Sequence, residues 1–152
     1  MAKGGPELLE DPLAVELLRS KIPARLAYVW RDGTPRVVPI WFQWTGTEIV
    51  MGTPPRAPKL QALNTGDRVA ITIDGNDWPY KSLTMRGTAK VDKNAGVVHE
   101  YAQAAVRYFG PEQGQAWVEQ FPPDVEMYRI AVRPDVVTLL DFETRFPSAL
   151  SP

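Results

Sequence analysis

Between Lys81 and Val91 the chain alternates without a fault. Leu83, Met85, Gly87, Ala89 and Val91 fall on one face of an extended backbone, and Ser82, Thr84, Arg86, Thr88 and Lys90 fall on the other. A strand this long with one dry face belongs to an antiparallel sheet covered on that side. Its neighbours in sequence fit such a sheet. Ala24 to Arg31 is apolar and β-rich, and Asp32-Gly33 is a strong hairpin turn. Arg36 to Trp44 answers it, Thr45-Gly46 turns again, and Glu48 to Thr53 forms a third strand. Arg68 to Asp74 precedes the alternating strand, and Met127 to Val132 and Val136 to Phe142 follow it.

Helices punctuate this pattern. Asp11 caps a helix with Pro12 in its first turn and Leu13, Leu17 and Leu18 on one face. Gly96 to Phe109 and Pro111 to Phe121 read as two more, and Leu60 to Leu63 as a short one. Residues 1–10, with Gly4, Gly5 and Pro6, read as a flexible N-terminal arm, and 11–152 as one domain. The expected fold is mainly β (α+β): a small antiparallel barrel of six to seven strands with short helices packed outside.

Composition narrows function. The formal net charge is −1, without the basic excess that sequence-independent nucleic-acid binding draws on. There is no cysteine, so neither a disulfide nor a thiolate site arises. Met1 to Glu10 lacks a signal-peptide pattern and no apolar run reaches membrane-spanning length, so a cytoplasmic protein without membrane partners is the expectation. His99 is the only histidine and reads as a surface or packing residue, and no metal-ligand spacing occurs.

Two places break local rules. Pro39 sits inside Val37-Val38-Pro39-Ile40-Trp41-Phe42, where a proline removes a ladder donor. It marks either a sheet edge or a strand whose backbone faces a bound planar molecule. Arg56 and Lys59 flank the start of the short helix, where cations are mildly unfavourable unless an anion binds there. A phosphate site and a solvated loop both remain open. Trp78, beside Pro79 and Tyr80, reads as an interface or site residue against ordinary loop packing.

The order of these features resembles the pyridoxamine-5′-phosphate-oxidase-like split-barrel family. The resemblance rests on Arg36-Val37-Val38-Pro39 after the Asp-Gly hairpin, on Thr53 and Lys59, and on Arg68-Val69-Ala70. It implies a split barrel that binds FMN, or alternatively coenzyme F-420, between the two subunits of a homodimer. Arg36 and Lys59 become phosphate cations, Thr53 a hydroxyl donor, and Val38, Pro39 and Ile40 the strand along the ring. Ser82 falls where the family places a side chain near the ring. Trp78, Tyr80 or the Arg145-Phe146 end completes the partner's site. Ala57-Pro58 stands where the family has Ser-Arg, which makes Arg56 the candidate substitute. Trp41 stands where true oxidases carry a substrate-phosphate lysine, and their C-terminal Arg-Leu-x-Pro signature is absent. The Pro-Ile-Trp-Phe strand and the Asp-Phe-Glu-Thr-Arg-Phe-Pro ending look more like the flavin- or deazaflavin-dependent reductase branch. The resemblance therefore implies an oxidoreductase that passes hydride between cofactor and a small organic acceptor, with no catalytic side chain. The alternative is a non-catalytic binder of a flavin, deazaflavin or haem pigment.

Overall fold

The structure is a computed structural model and describes residues 1–146. In chain order the elements are β1 (Ala2–Gly4), a 3-10 turn (Pro6–Glu10), α1 (Pro12–Arg19), β2 (Ala24–Val29), β3 (Pro35–Ile40), β4 (Gln43–Trp44) and β5 (Ile49–Thr53). A second 3-10 turn (Pro58–Gln61), β6 (Arg68–Asp74), β7 (Lys81–Ala95), α2 (His99–Phe109), α3 (Pro111–Glu119) and β8 (Glu126–Asp141) follow. The strands form one antiparallel sheet in the order β3-β2-β6-β7-β8-β5-β4, with β1 added on β8. Its ends, β3 and β4, do not meet, so the barrel is split. Leu26, Phe42, Ile49, Met51, Ile71, Ile73, Leu83, Met85, Ile130 and Leu139 fill its interior.

Eight strands replace the six to seven expected. Residues 1–10 are not the loose arm read from their glycines: Ala2–Gly4 pairs with Val137–Leu139, and Leu9 is buried in the core. The apolar Leu8-Leu9 pair outweighs the local flexibility, since its burial repays the order it demands. The expected strand Arg36–Trp44 breaks in two because Phe42 is fully buried while Trp41 turns into an aromatic cluster outside the barrel. The pleat cannot serve both at once.

The two expected C-terminal strands fuse into one. Pro134, which falls between them, lies within β8 at a bulge, where a missing donor is tolerated. The register shifts between Arg86 and Gly87, whose partners are Val136 and Pro134, leaving Asp135 as the extra residue. Gly87 is what lets the strands close on the bulge. A Cβ there would stand 2.3 Å from the Arg133 carbonyl oxygen, a backbone atom that has nowhere to go.

α2 and α3 form a hairpin packed outside β5. Arg107 fastens it: the guanidinium donates to the Ser20 and Phe42 carbonyls and, at 3.3 Å, to the Gln43 side chain. It also lies between the rings of Phe42 and Tyr108, 4.6 Å from each centroid. Tyr108 donates to the Ile22 carbonyl at 3.1 Å. α2 begins at His99 rather than Gly96, because β7 continues to Ala95 and Gly96 takes a positive φ of 85°.

Gly87→Ala should destabilise the protein by about 2 kcal/mol or more, the usual cost of forcing atoms into a filled site. Urea denaturation reads this directly, and a midpoint equal to wild type would show that the bulge relaxes freely.

Candidate functional site

Thr53 ends β5 and pairs with Tyr128, so its side chain shares the interior face of Met51 and Ile130 at one mouth of the barrel. It is only 2% exposed. The chain then leaves the sheet through Pro54 and Pro55 and returns as the single 3-10 turn that carries Lys59. This brings Lys59 back over Thr53, and Nζ donates to Thr53 Oγ1 at 3.0 Å. The ammonium is half-buried, and burial alone pushes its pKa down from 10.5; no carboxylate pairs with it among the described residues. A half-buried cation without a counter-ion is an electrostatic debt that an incoming anion removes.

This geometry revises one sequence expectation and adds to another. The helix after Arg56 is one 3-10 turn of four residues, too short for a macrodipole to hold a phosphate by itself. Thr53 Oγ1 accepts from the ammonium, which leaves its own hydroxyl proton uncommitted. It lies beneath Lys59 and fixes the direction of the ammonium.

Beside this mouth is a depression of about 590 Å³, lined by Arg56, Ala57, Gln61, Asn64, Thr65 and Tyr128, among others. Arg56 is exposed, and Pro58 opens the turn at its first position. The β2–β3 hairpin reaches the same turn, since Arg31 Nε donates to the Gln61 carbonyl at 2.6 Å. Arg36 belongs to that hairpin and stacks over Trp30 at 5.1 Å, with its charge still exposed.

On β3 the expected ring-binding residues divide between the faces. Val38 and Ile40 pair with Leu26 and Ala24 and pack against the core. Pro39, opposite Arg25, points to the outer face. β3 pairs only with β2, so Pro39 stands on an edge strand, as the first of its two readings required. What β3 offers a ligand is therefore its free backbone edge and the outward Pro39, not three side chains on one face.

Ser82 and Trp78 are not brought to this mouth within one chain. Ser82 pairs with Leu140 and Thr53 with Tyr128, twelve residues apart on β8. At about 3.3 Å per residue that is ~40 Å along the strand. Ser82 lies instead on the outer sheet face, in a depression of about 660 Å³ shared with Arg25, Thr72, Asp74 and Tyr80. Above it, Trp78 is 68% and Tyr80 47% exposed, with Phe142 5.4 Å from Trp78 and 5.9 Å from Tyr80.

Residues not singled out in the sequence also shape the region. Asp141 is buried at the end of β8, which opposes its ionisation. The amides of Thr144, Glu143 and Arg145 and the Thr144 hydroxyl outweigh that and hold its pKa at about 2. Around Trp41, Tyr108 is stacked at 4.9 Å, Phe109 meets the ring edge-on at 4.9 Å, and Trp117 lies 6.3 Å away. Trp117 Nε1 donates to the Tyr101 hydroxyl at 2.9 Å. The aromatic spacing Tyr101, Tyr108, Phe109 was visible in the sequence, but which strand residue it would enclose was not. His99 is exposed at the start of α2.

With this geometry in view, the comparisons define the class. A family profile described as pyridoxamine 5′-phosphate oxidase matches residues 11–139. The chain belongs to that family. Among solved structures it is similar to an F420 reductase at 27% identity and a TM-score of 0.60, covering 80% of this chain and 93% of that one. It is also similar to the FAD binding protein from Mycobacterium smegmatis, at 17% identity and a TM-score of 0.54, over 84% and 92% of the two chains. A third is HutZ, the heme storage protein from Vibrio cholerae, at 19% identity and a TM-score of 0.58, over 86% and 93%. At these last two identities the likeness is one of fold. No curated protein matches the chain. Among the described residues, no helix is long and apolar enough to cross a membrane.

Because burial depresses Lys59, the charged form costs the folded state more than the unfolded one. Folding stability contributed by this residue should therefore rise as pH climbs from the lowered pKa toward 10.5. Denaturation of wild type and Lys59→Met across pH 8 to about 10.5 isolates it as a difference. A difference that is flat with pH would place the ammonium in water.

Proposed function

We propose that the chain is a flavin- or deazaflavin-dependent oxidoreductase, acting as a homodimer on a small organic acceptor. The observation that carries the reading is the uncompensated Lys59 ammonium, aimed by Thr53 at the open mouth of a split barrel. An anion of fixed position suits it, and a cofactor phosphate is one. Arg56 and Arg36 add exposed positive charge around the same turn, so a dianion meets three cations of different reach. FMN is the favoured occupant, with coenzyme F-420 as the alternative.

The ring would lie along the free edge of β3 at Val38, Pro39 and Ile40. There the backbone offers hydrogen-bonding groups that no neighbouring strand uses. Ala57 and Pro58 shape the turn that Lys59 leaves from. A bound flavin or deazaflavin supplies hydride transfer at its ring, and the protein binds and orients it. The wide separation of Thr53 and Ser82 along β8 supports a site made by two copies, in which Ser82, Trp78 and Tyr80 of one face the cofactor of the other. C2 pairing is the commonest way to build such a site.

Oxidation of pyridoxamine 5′-phosphate is not expected of this member. Trp41 is stacked on Tyr108 inside an aromatic cluster and offers no cation to a substrate phosphate. Bringing a dianion there would strip its water without a replacing contact.

Titration with FMN and with coenzyme F-420, followed by absorbance, should show one of them binding to a dimer in sedimentation. Lys59→Ala should weaken it about tenfold or more, since a charge-assisted hydrogen bond contributes roughly 1.5–3 kcal/mol. An unchanged dissociation constant would move the anion elsewhere. Reduced cofactor should turn over with quinone or unsaturated-ring acceptors, while pyridoxamine phosphate is left untouched. Binding without turnover, or a Soret band on adding haem in place of any flavin signal, would favour the storage role instead.

A further inference from the structure

Residues 141–146 form a turn held by several hydrogen bonds. Asp141 Oδ1 accepts the Glu143 amide at 2.8 Å and the Arg145 amide at 3.2 Å, and Oδ2 accepts the Thr144 hydroxyl at 3.0 Å. The Phe142 amide donates to the Tyr80 carbonyl at 3.1 Å, which joins this turn to the loop after β6. Arg145 then reaches Asp11 with both terminal nitrogens, at 3.0 and 2.6 Å. Asp11 is itself fixed, since it caps α1 by accepting the Leu13 amide at 2.9 Å.

This scaffolding holds a set of rings that the core does not use. Trp78, Tyr80, Phe142 and Phe146 form a chain of contacts at 5.4 to 6.2 Å between centroids, and Trp78 and Tyr80 remain largely in water. Ordering exposed rings recovers little hydrophobic free energy in an isolated chain. Ordering them beforehand does reduce the cost of a later binding event, because the rotamers are already chosen.

We infer that the Asp11–Arg145 ion pair is a positioning device for cofactor binding. It pins the turn after β8 to α1, so that the four-ring cluster of one copy is already shaped to close over the ring of the cofactor held by the other. The inference rests on the two-copy reading above and adds to it the residues that prepare the closing surface. Arg145 acts through the aromatic cluster and does not itself touch the cofactor. Its effect therefore falls on the ring and not on the phosphate.

Riboflavin and FMN, which differ only in the phosphate, separate the two. The variants are Asp11→Asn, which keeps a competent helix cap, Arg145→Met, and the double variant. Each single change should weaken riboflavin and FMN by the same factor, about fivefold to tenfold, and the double should add nothing further, as for one coupled pair. Hydrogen exchange of the unliganded protein should accelerate in the peptide covering 141–146 in all three. Unchanged affinities in variants whose wild type binds FMN would overturn the inference and leave the proposed function standing. A loss confined to FMN would overturn it too, by placing Arg145 on the phosphate, and so would additive losses in the double variant. If the wild-type protein binds neither these flavins nor coenzyme F-420, the proposed function is what fails. If it binds coenzyme F-420 alone, the same comparison is made with F-420 and its phosphate-free deazaflavin, and the same outcomes decide.

Discussion

The pairing of β7 with β8 is the constraint from which the rest of the molecule takes its shape. Every residue of β7 from Lys81 to Ala95 has a partner on β8, and the bulge at Gly87 bends both strands so that the sheet can curl. β6 and β2 build outward from one side of this ladder, and β5 and β4 from the other. One end of the ladder carries Thr53 and the turn of Lys59. The other carries Ser82 and the exposed rings. The ladder is rigid, so the two ends cannot approach each other by any small movement. The separation of Thr53 from Ser82 is thus a property of the backbone, fixed before any side chain is considered.

At the Lys59 end the controlling quantity is solvation. A surface lysine paired with a carboxylate contributes little and binds nothing. Lys59 differs because the 3-10 turn folds it back over the barrel mouth, where Thr53 supplies a neutral acceptor in place of a counter-ion. A hydroxyl fixes the ammonium's direction without cancelling its charge. Elsewhere in the chain several exposed cations are paired with carboxylates: Lys81 with Glu16, Lys93 with Glu126 and Arg68 with Asp135. Against these exposed pairs, Lys59 is half-buried and meets no carboxylate among the described residues.

Much of the sheet was legible in the sequence, because period-two alternation and Asp-Gly turns are local signals. Lys81–Val91 is a strand with the faces read from its residues, and Arg68–Asp74 is a strand as expected. Trp41-Phe42 misled, since two apolar neighbours look like a continuing strand when one of them leaves the sheet for a cluster that only tertiary packing defines. The gap left between Val132 and Val136 erred in the opposite direction, because the bulge that carries Pro134 is invisible until its partner strand is known. At the site, the spacing of Thr53 and Lys59 was readable, but their mutual hydrogen bond was not. It depends on the path through Pro54 to Pro58, which no pattern specifies. The pairing of Asp11 with Arg145 spans almost the whole chain, and separations of that length leave no trace in composition or periodicity.

β3 closes one open side of the split barrel and carries two prolines, Pro35 and Pro39, while the opposite open side is the two-residue β4. An unpaired strand edge is a template on which another molecule can add a strand, and repeated addition leads to fibres. Each proline removes an amide donor from the exposed rim of β3, and β4 is too short to nucleate a ladder. The two seams left by the open barrel are therefore poor sites for edge-to-edge polymerisation. A chain that leaves these two seams unattractive can expose an open barrel in a crowded solution without offering a neighbour a strand to extend.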